Sequence, residues 1–163
     1  MKSRLSTLAF PIASITIVLC WLLFVLFFHN PISQALFVVG NVLVGVGILL
    51  IILAIATLRR KGNLQEGENF TATTVVVKHG VYSIVRHPLY LGWLLMYPAA
   101  MLVSQHWLIV ILGVLGIVSI DQITRMADEQ LVEKFGVDYE TYMQKVPRLN
   151  VILGIVRKLK LKY

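Results

Sequence analysis

The chain has 163 residues, of which 58% are hydrophobic and 14% charged, and its mean hydropathy is +0.80. These values exclude an ordinary soluble globular domain and indicate a membrane protein. The formal net charge of +7 comes from basic residues that flank apolar stretches, where anionic lipid headgroups are nearer partners than nucleic acid. We therefore expect the lipid bilayer as a partner and no nucleic acid.

Two long stretches lack Asp, Glu, Lys and Arg, one from Leu5 to Leu58 and one from His87 to Ile120. Each is too long for one membrane helix of about 20 residues and suits two. Polar turn residues interrupt the stretches at 29–34 and at 104–106. The predicted fold is an all-α integral membrane protein with about four transmembrane helices, at residues 8–28, 36–58, 89–103 and 107–120.

We expect the fourth span to continue as a helix beyond Asp121 into a C-terminal helical region at 121–163, within a single membrane-embedded domain of residues 1–163. All 15 Lys and Arg residues lie before the first span, between the second and third, or after the fourth. The positive-inside rule then places both termini and the middle loop in the cytoplasm. The first apolar run is longer than a signal-peptide core and lacks a small-residue cleavage site, so we expect it to remain as a span. The expected location is a prokaryotic cytoplasmic membrane.

The middle connection, residues 62–78, is polar at first and then rich in β-branched residues, among them Val75, Val76 and Val77. This composition predicts a loop with an extended stretch. Because the loop is the largest polar connection on the predicted cytoplasmic side, we expect a water-soluble cofactor to arrive there.

A group of polar residues then stands at the threshold of the third span. Arg86 and His87 precede Pro88, which suits the first turn of a helix. Tyr90 follows in the first turns, where free backbone N–H groups and the positive end of the helix dipole favour an anionic group. Such a site suits the anionic end of a nucleoside amino acid. The alternative interpretation is an anchor belt at the membrane interface.

A second polar group begins where the fourth span leaves the membrane. Asp121, Arg125, Asp128 and Glu129 recur at three- and four-residue steps, which predicts one shared helix face. Arg125 offers a planar donor fork to a substrate carboxylate or phosphate, and an acidic neighbour could hold the cofactor's amino or hydroxyl groups. Alternatively, Arg125 and Glu129 form only a surface ion pair.

The segments that contain these two polar groups resemble, in sequence, the isoprenylcysteine carboxyl methyltransferase family of integral membrane, S-adenosylmethionine-dependent enzymes. The pattern Gly-x-Tyr, four residues, His-Pro-x-Tyr-x-Gly-Trp is filled at every fixed position between Gly80 and Trp93. An aromatic tail pattern matches at Phe135-Gly136, Tyr139, Tyr142 and Val146-Pro147-Arg148. The resemblance covers roughly the last half of the chain. It implies that the cytoplasmic loop and the C-terminal helices form a pocket for S-adenosylmethionine.

The resemblance also implies site residues. Together with neighbouring residues of the same segments, the expected cofactor-binding set is Val75, Val76, Val77, Gly80, Tyr82, Arg86, His87, Pro88, Tyr90, Asp128 and Glu129. In strict register the family's paired glutamates fall on Ala127 and Asp128, whereas a local shift preserves an Arg-x-x-x-Glu relation at Arg125 and Glu129. We favour Glu129 over Asp128 as the acidic contact, and Arg125 and Glu129 as the catalytic residues.

The implied reaction is carboxyl methylation of a prenylated or amphiphilic, membrane-associated acceptor. A carboxylate acceptor needs no general base at neutral pH, and no metal-ligand spacing is present, so we expect no metal. One alternative is N-, O- or S-methylation of a phospholipid or small amphiphile, and another is a noncatalytic helical scaffold. The last residues, 151–163, mix apolar and basic side chains and predict a helix on anionic lipid.

Overall fold

The structure, a computed structural model, describes residues 2–28, 30–64, 67, 69 and 71–160, with the side chains of residues 2–7 outside the description. The side chains of the predicted flanking cations Lys2 and Arg4 therefore lie outside what is described, and so do Lys162 and the turn residue His29. The described residues form six α-helices and one 3-10 turn. The helices are α1 (Lys2–Phe27), α2 (Gln34–Lys61), α3 (Pro88–Ser104), α4 (Trp107–Phe135), α5 (Val137–Lys145) and α6 (Val151–Lys160), and the turn is Gly80–Ser83.

The all-α prediction is confirmed, because no strand occurs in the described ranges. In the same ranges, three helical segments are long and apolar enough to cross a membrane, at Leu8–Phe27, Gln34–Lys61 and Trp107–Phe135. The fourth apolar helix, α3, has 17 residues and a length of about 25 Å, slightly less than the hydrocarbon core of a bilayer. As predicted, α3 begins at the proline, and α4 continues well past Asp121.

The chain divides into two compact units. The first comprises Met1–Leu49 and Gly92–Met126, and the second comprises Leu50–Leu91 and Ala127–Tyr163. Helices α2, α3 and α4 each contribute to both units.

In the first unit, α2 and α3 approach closely at a glycine. A Cβ atom added to Gly47 would lie 2.9 Å from the carbonyl oxygen of Gly92 and 2.6 Å from Met96 Cε. Small residues at such contacts let membrane helices pack with their backbones close together. Tyr97 ties α3 to α1, since its hydroxyl donates a hydrogen bond to the Ala13 carbonyl at 2.7 Å.

Apolar side chains face outward along the long helices. Val18 on α1, Ile52 on α2 and Val118 on α4 each expose more than half of their surface. Large exposed apolar surfaces are unfavourable in water and favourable in hydrocarbon. The long helices are therefore suited to lipid.

In the second unit, the middle loop folds back on the end of α2. The Thr74 N–H donates to the Gly62 carbonyl at 3.0 Å, and Val77 and Tyr82 are buried in one cluster with Ala54. As predicted, residues 71–78 are not helical. Gly80 adopts a φ of +59°, a left-handed conformation that glycine accepts without strain, and this turn directs the chain toward α3.

Candidate functional site

The second unit contains a buried polar network around Asp128. From the described residues, Asp128 Oδ2 accepts a hydrogen bond from Arg86 Nη2 at 2.8 Å, and Oδ1 accepts one from the Tyr139 hydroxyl at 2.7 Å. His87 Nε2 lies 2.8 Å from Oδ1. Because an ionised carboxylate only accepts hydrogen bonds, His87 must carry its proton on Nε2 here. The network connects three parts of the chain: Arg86 and His87 directly before α3, which we call the threshold of α3, the polar end of α4, and α5.

Arg86 also fastens the C-terminal end of α5. Its Nη1 donates to the carbonyl oxygens of Met143 and Val146, at 2.9 Å each. The last carbonyls of a helix have no partner within the helix, and the helix dipole favours a cation there. In addition, the Arg86 and His87 backbone N–H groups donate to the carbonyls of Pro147 and Arg148. The segment after α5 is thereby held against the start of α3.

One donor of Arg86 is left over. Its Nε atom is buried and has no hydrogen-bond partner among the described residues, and the arginine side chain is only 9% exposed. A buried donor without a partner costs about 1–3 kcal/mol. Because the atom is buried, an acceptor atom of a ligand reaches this N–H only when the surrounding side chains move.

Three tyrosines of the second unit, Tyr82, Tyr139 and Tyr142, are buried, and their hydroxyls stay protonated. The Tyr142 hydroxyl donates to the Tyr82 carbonyl. Burial raises the pKa of Tyr82 and Tyr142, and burial followed by the hydrogen bond to Asp128 raises the pKa of Tyr139. At neutral pH all three hydroxyls are neutral.

A small cavity of about 50 Å³ opens beside the network. Its lining residues come from the middle loop, from the sequence motif between Gly80 and Trp93, from the end of α4 and from α5. They are Thr73, Val75, Val76, Val77, Tyr82, Arg86, Leu131, Phe135, Tyr139 and Tyr142. Five of these, the three valines with Tyr82 and Arg86, belong to the predicted cofactor-binding set. The sequence placed no chemistry on Tyr139 and Tyr142, although their spacing in the aromatic tail pattern had marked them.

The chemistry of this cavity fits the carboxylate end of S-adenosylmethionine. Apolar and aromatic walls surround a guanidinium whose Nε–H is unpaired, and a guanidinium is a favoured partner of a carboxylate. The volume is smaller than the roughly 300–1,000 Å³ of pockets that hold whole ligands of this size. A complete cofactor therefore requires the cavity walls to separate.

The other predicted cofactor residues take different positions. Pro88 is fully buried at the first turn of α3, and Tyr90 is half-buried with its ring 5.7 Å from the His87 ring. Gly80 forms the left-handed turn described above. Pro88, Tyr90 and Gly80 do not line the 50 Å³ cavity.

The two acidic candidates differ in burial. Asp128 is buried in the network, whereas Glu129, the next residue on α4, is exposed. Arg125 belongs to the first unit, where its Nε donates to Asp121 Oδ2 at 2.9 Å as an exposed pair one helical turn apart. The predicted roles of Arg125, Asp128 and Glu129 toward a cofactor or substrate stay predictions.

The apolar helices define a multi-pass membrane protein. The sequence profile of one family, phospholipid methyltransferase (PEMT), matches residues 35–136, more than half of the chain. The chain therefore belongs to the phospholipid methyltransferase family and is a membrane methyltransferase, of a kind that generally uses S-adenosylmethionine. No curated protein and no solved structure is significantly similar to it. The matched range includes Arg86, His87 and Asp128 and ends before α5.

Proposed function

We propose that the protein transfers a methyl group from S-adenosylmethionine to a lipid-like acceptor in the membrane. The observation that carries this proposal is the buried Arg86–Asp128 pair beside an aromatic cavity, with the Arg86 Nε–H unpaired. A noncatalytic scaffold gains nothing from a buried guanidinium that keeps one donor free. Membership of a methyltransferase family supports the same conclusion.

The cofactor supplies a methyl group on a sulfonium sulfur, which carries its own leaving group. In this proposal Arg86 binds the carboxylate end through Nε, while Asp128 and the α5 carbonyls fix the guanidinium so that the donor is already oriented. The aromatic side chains Tyr82, Phe135 and Tyr139 exclude water and suit a neighbouring cation. His87 orients Asp128, and Glu129 remains the predicted acidic contact of the cofactor, with Asp128 as the competitor.

The acceptor belongs to one of two classes. The motif resemblance to isoprenylcysteine carboxyl methyltransferases supports a carboxylate on a prenylated or amphiphilic molecule, and Arg125 is the predicted partner of that carboxylate. The family description supports a phospholipid headgroup. An ammonium headgroup must lose a proton before it attacks, whereas a carboxylate is already a nucleophile. The Asp128 oxygens are occupied by three donors, so Glu129 is the better candidate base for an amine.

A direct test measures binding and transfer with the protein purified in a maltoside detergent. We expect saturable calorimetric binding of S-adenosylhomocysteine, and transfer of radiolabelled methyl from S-adenosylmethionine into a lipid extract or a synthetic prenylcysteine. In Arg86→Lys the cation remains but the Nε donor is lost, so binding should weaken by about tenfold or more. Arg60→Gln, which removes an exposed cation at the end of α2, is the control. A well-folded wild type that binds no S-adenosylhomocysteine would contradict the proposal.

For the topology, we propose that both termini lie in the cytoplasm of a prokaryotic cell. The charge distribution along the sequence supports this orientation. A C-terminal fusion of green fluorescent protein should fluoresce, and a C-terminal alkaline phosphatase fusion should be inactive. The opposite pair of results would reverse the orientation or change the number of spans to odd.

A further inference from the structure

A second and larger cavity of the second unit has a strongly basic lining. It measures about 310 Å³, which is within the range of ligand-binding pockets, and it is lined by Lys78, Ser83, Thr141, Tyr142, Lys145, Val146 and Lys158. The three lysines come from three separate segments, the middle loop, the end of α5 and α6. The fold therefore brings three ammonium groups to one cavity that none of the predicted catalytic residues lines.

The positive charge of this cavity is only partly balanced. Lys78 Nζ pairs with Asp138 Oδ1 at 3.1 Å, and Lys158 Nζ donates to the Ser83 hydroxyl oxygen at 2.7 Å. Each ammonium has three N–H donors, so both lysines retain donors beyond these contacts. Lys145 adds a third, exposed cation at the end of α5. Like charges converging on one cavity repel unless an anion joins them.

The hydroxyl groups of the lining are already committed as donors. The Ser83 hydroxyl donates to the Gly80 carbonyl at 2.6 Å, and the Thr141 hydroxyl donates to the Val137 carbonyl at 2.9 Å. Free donor capacity in the cavity thus resides in the lysines. Point-charge ammonium donors suit the oxygens of a phosphate group.

The position of α6 favours a lipid as the source of such a phosphate. Gly154 packs directly against the Ile84 carbonyl, and Lys158, one turn later, reaches Ser83, so this side of α6 faces the second unit. On the opposite side Ile152, Ile155 and Leu159 are exposed at spacings of three and four residues. A short helix with an exposed apolar side and a basic end lies in a membrane interface. We therefore expect the cavity to lie where phospholipid headgroups are concentrated.

We propose that this cavity binds the phosphate of an anionic phospholipid headgroup through Lys78, Lys145 and Lys158. The ligand is a lipid that anchors the second unit at the bilayer surface, and it is distinct from the methyl acceptor. This inference does not depend on the proposed cofactor chemistry, because binding is measured without cofactor and with a lipid that has no amine to methylate.

The test is a thermal-unfolding titration of the protein in a maltoside detergent. The probes are dioctanoyl phosphatidylglycerol, inorganic phosphate and, as a phosphate-free lipid, dioctanoylglycerol. Phosphatidylglycerol should raise the unfolding temperature saturably, since a ligand that binds only the folded state stabilises it, and dioctanoylglycerol should not. In Lys145→Gln/Lys158→Gln the dissociation constant should rise roughly tenfold or more.

The matched control is Arg60→Gln/Lys160→Gln, which removes the same charge from two exposed residues outside the cavity lining. Its dissociation constant should change by less than about threefold. An equal loss in both double variants, or no saturable effect in the wild type, overturns the site. Saturation by inorganic phosphate at the same concentration as the lipid would overturn the lipid source and assign the cavity to a soluble phosphate. Equal unfolding temperatures of all proteins without lipid verify that the variants fold.

Discussion

His87 and Asp128, separated by 41 positions in the chain, are joined by a hydrogen bond of 2.8 Å between Nε2 and Oδ1. Both side chains are buried. Asp128 also accepts hydrogen bonds from Arg86 and Tyr139. One carboxylate of α4 therefore binds both residues at the threshold of α3. Substitutions in this network test how much it contributes to the stability of the protein.

Replacing Asp128 by Asn should destabilise the protein strongly. The change leaves the Arg86 guanidinium, 9% exposed, without its counter-ion, and breaking a buried ion pair by removing one partner costs on the order of 3 kcal/mol. The measurement is thermal unfolding in detergent. Glu129→Gln, one residue further on and exposed, is the control and should unfold at the wild-type temperature. Equal stability of Asp128→Asn and wild type would mean that the network carries little energy.

Glu129 can be tested separately for contact with the cofactor. If Glu129 holds the cofactor's amino or hydroxyl groups, Glu129→Gln should weaken S-adenosylhomocysteine binding by about tenfold, as expected for loss of a hydrogen bond to a charged group, while the unfolding temperature stays unchanged. Glu133→Gln, an exposed carboxylate one turn later, is the control. Unaltered affinity in Glu129→Gln would leave Asp128 as the acidic candidate.

Tyr139→Phe removes one donor from Asp128 without changing the size of the ring. Because the lost hydrogen bond ends on a charged group and both residues are buried, the free energy of unfolding should fall by about 2 kcal/mol. Chemical denaturation in detergent measures the difference. Tyr142→Phe, which loses a hydrogen bond to the neutral Tyr82 carbonyl, should cost about 1 kcal/mol. A reversed order would contradict the assignment of the stronger bond to Asp128.

The buried tyrosines predict the alkaline limit of stability. Their pKa values are raised by burial, so the folded protein keeps them neutral while the unfolded chain ionises them near the ordinary pKa of about 10. The stabilisation is complete below that pH and is lost as the pH rises above it. Ionisation of these three tyrosines, followed by tyrosinate absorbance, should therefore occur together with the loss of helical circular dichroism. Ionisation of all tyrosines in the intact fold would refute this expectation.

A pair of glycines in α2 tests the close approach of α2 to α3. Gly47→Ala places a Cβ atom 2.9 Å from the Gly92 carbonyl, a backbone atom that no rotamer change can move, and should destabilise the protein by about 1–3 kcal/mol. Gly45→Ala, two residues earlier, meets no atom within 4 Å and should be neutral or slightly stabilising. The measurement is the thermal unfolding temperature of the two variants. Equal unfolding temperatures would argue against tight packing at Gly47.

Features of the fold that depend on local composition could be read from the sequence. The long apolar runs fixed the helices, because a chain in hydrocarbon must satisfy its backbone groups within each span. Pro88 fixed the start of α3 because its ring sets φ and it needs no N–H partner. The continuation of α4 beyond Asp121 also follows from local propensity, since residues 121–135 contain neither Gly nor Pro and include several strong helix formers.

The burial of Asp128 rather than Glu129 depends on how the helices pack. Asp128 and Glu129 are neighbours on one helix, and periodicity alone cannot separate them when the partner surface is unknown. The difference arises because α5 returns to the threshold of α3, where Arg86 binds the α5 carbonyls and Tyr139 reaches Asp128. The same return of the chain, followed by α6, brings Lys78, Lys145 and Lys158 to one cavity. The contacts of Arg86 and His87 with Asp128 and with the end of α5 join residues 41 to 60 positions apart, and such contacts depend on packing, which local sequence patterns do not encode.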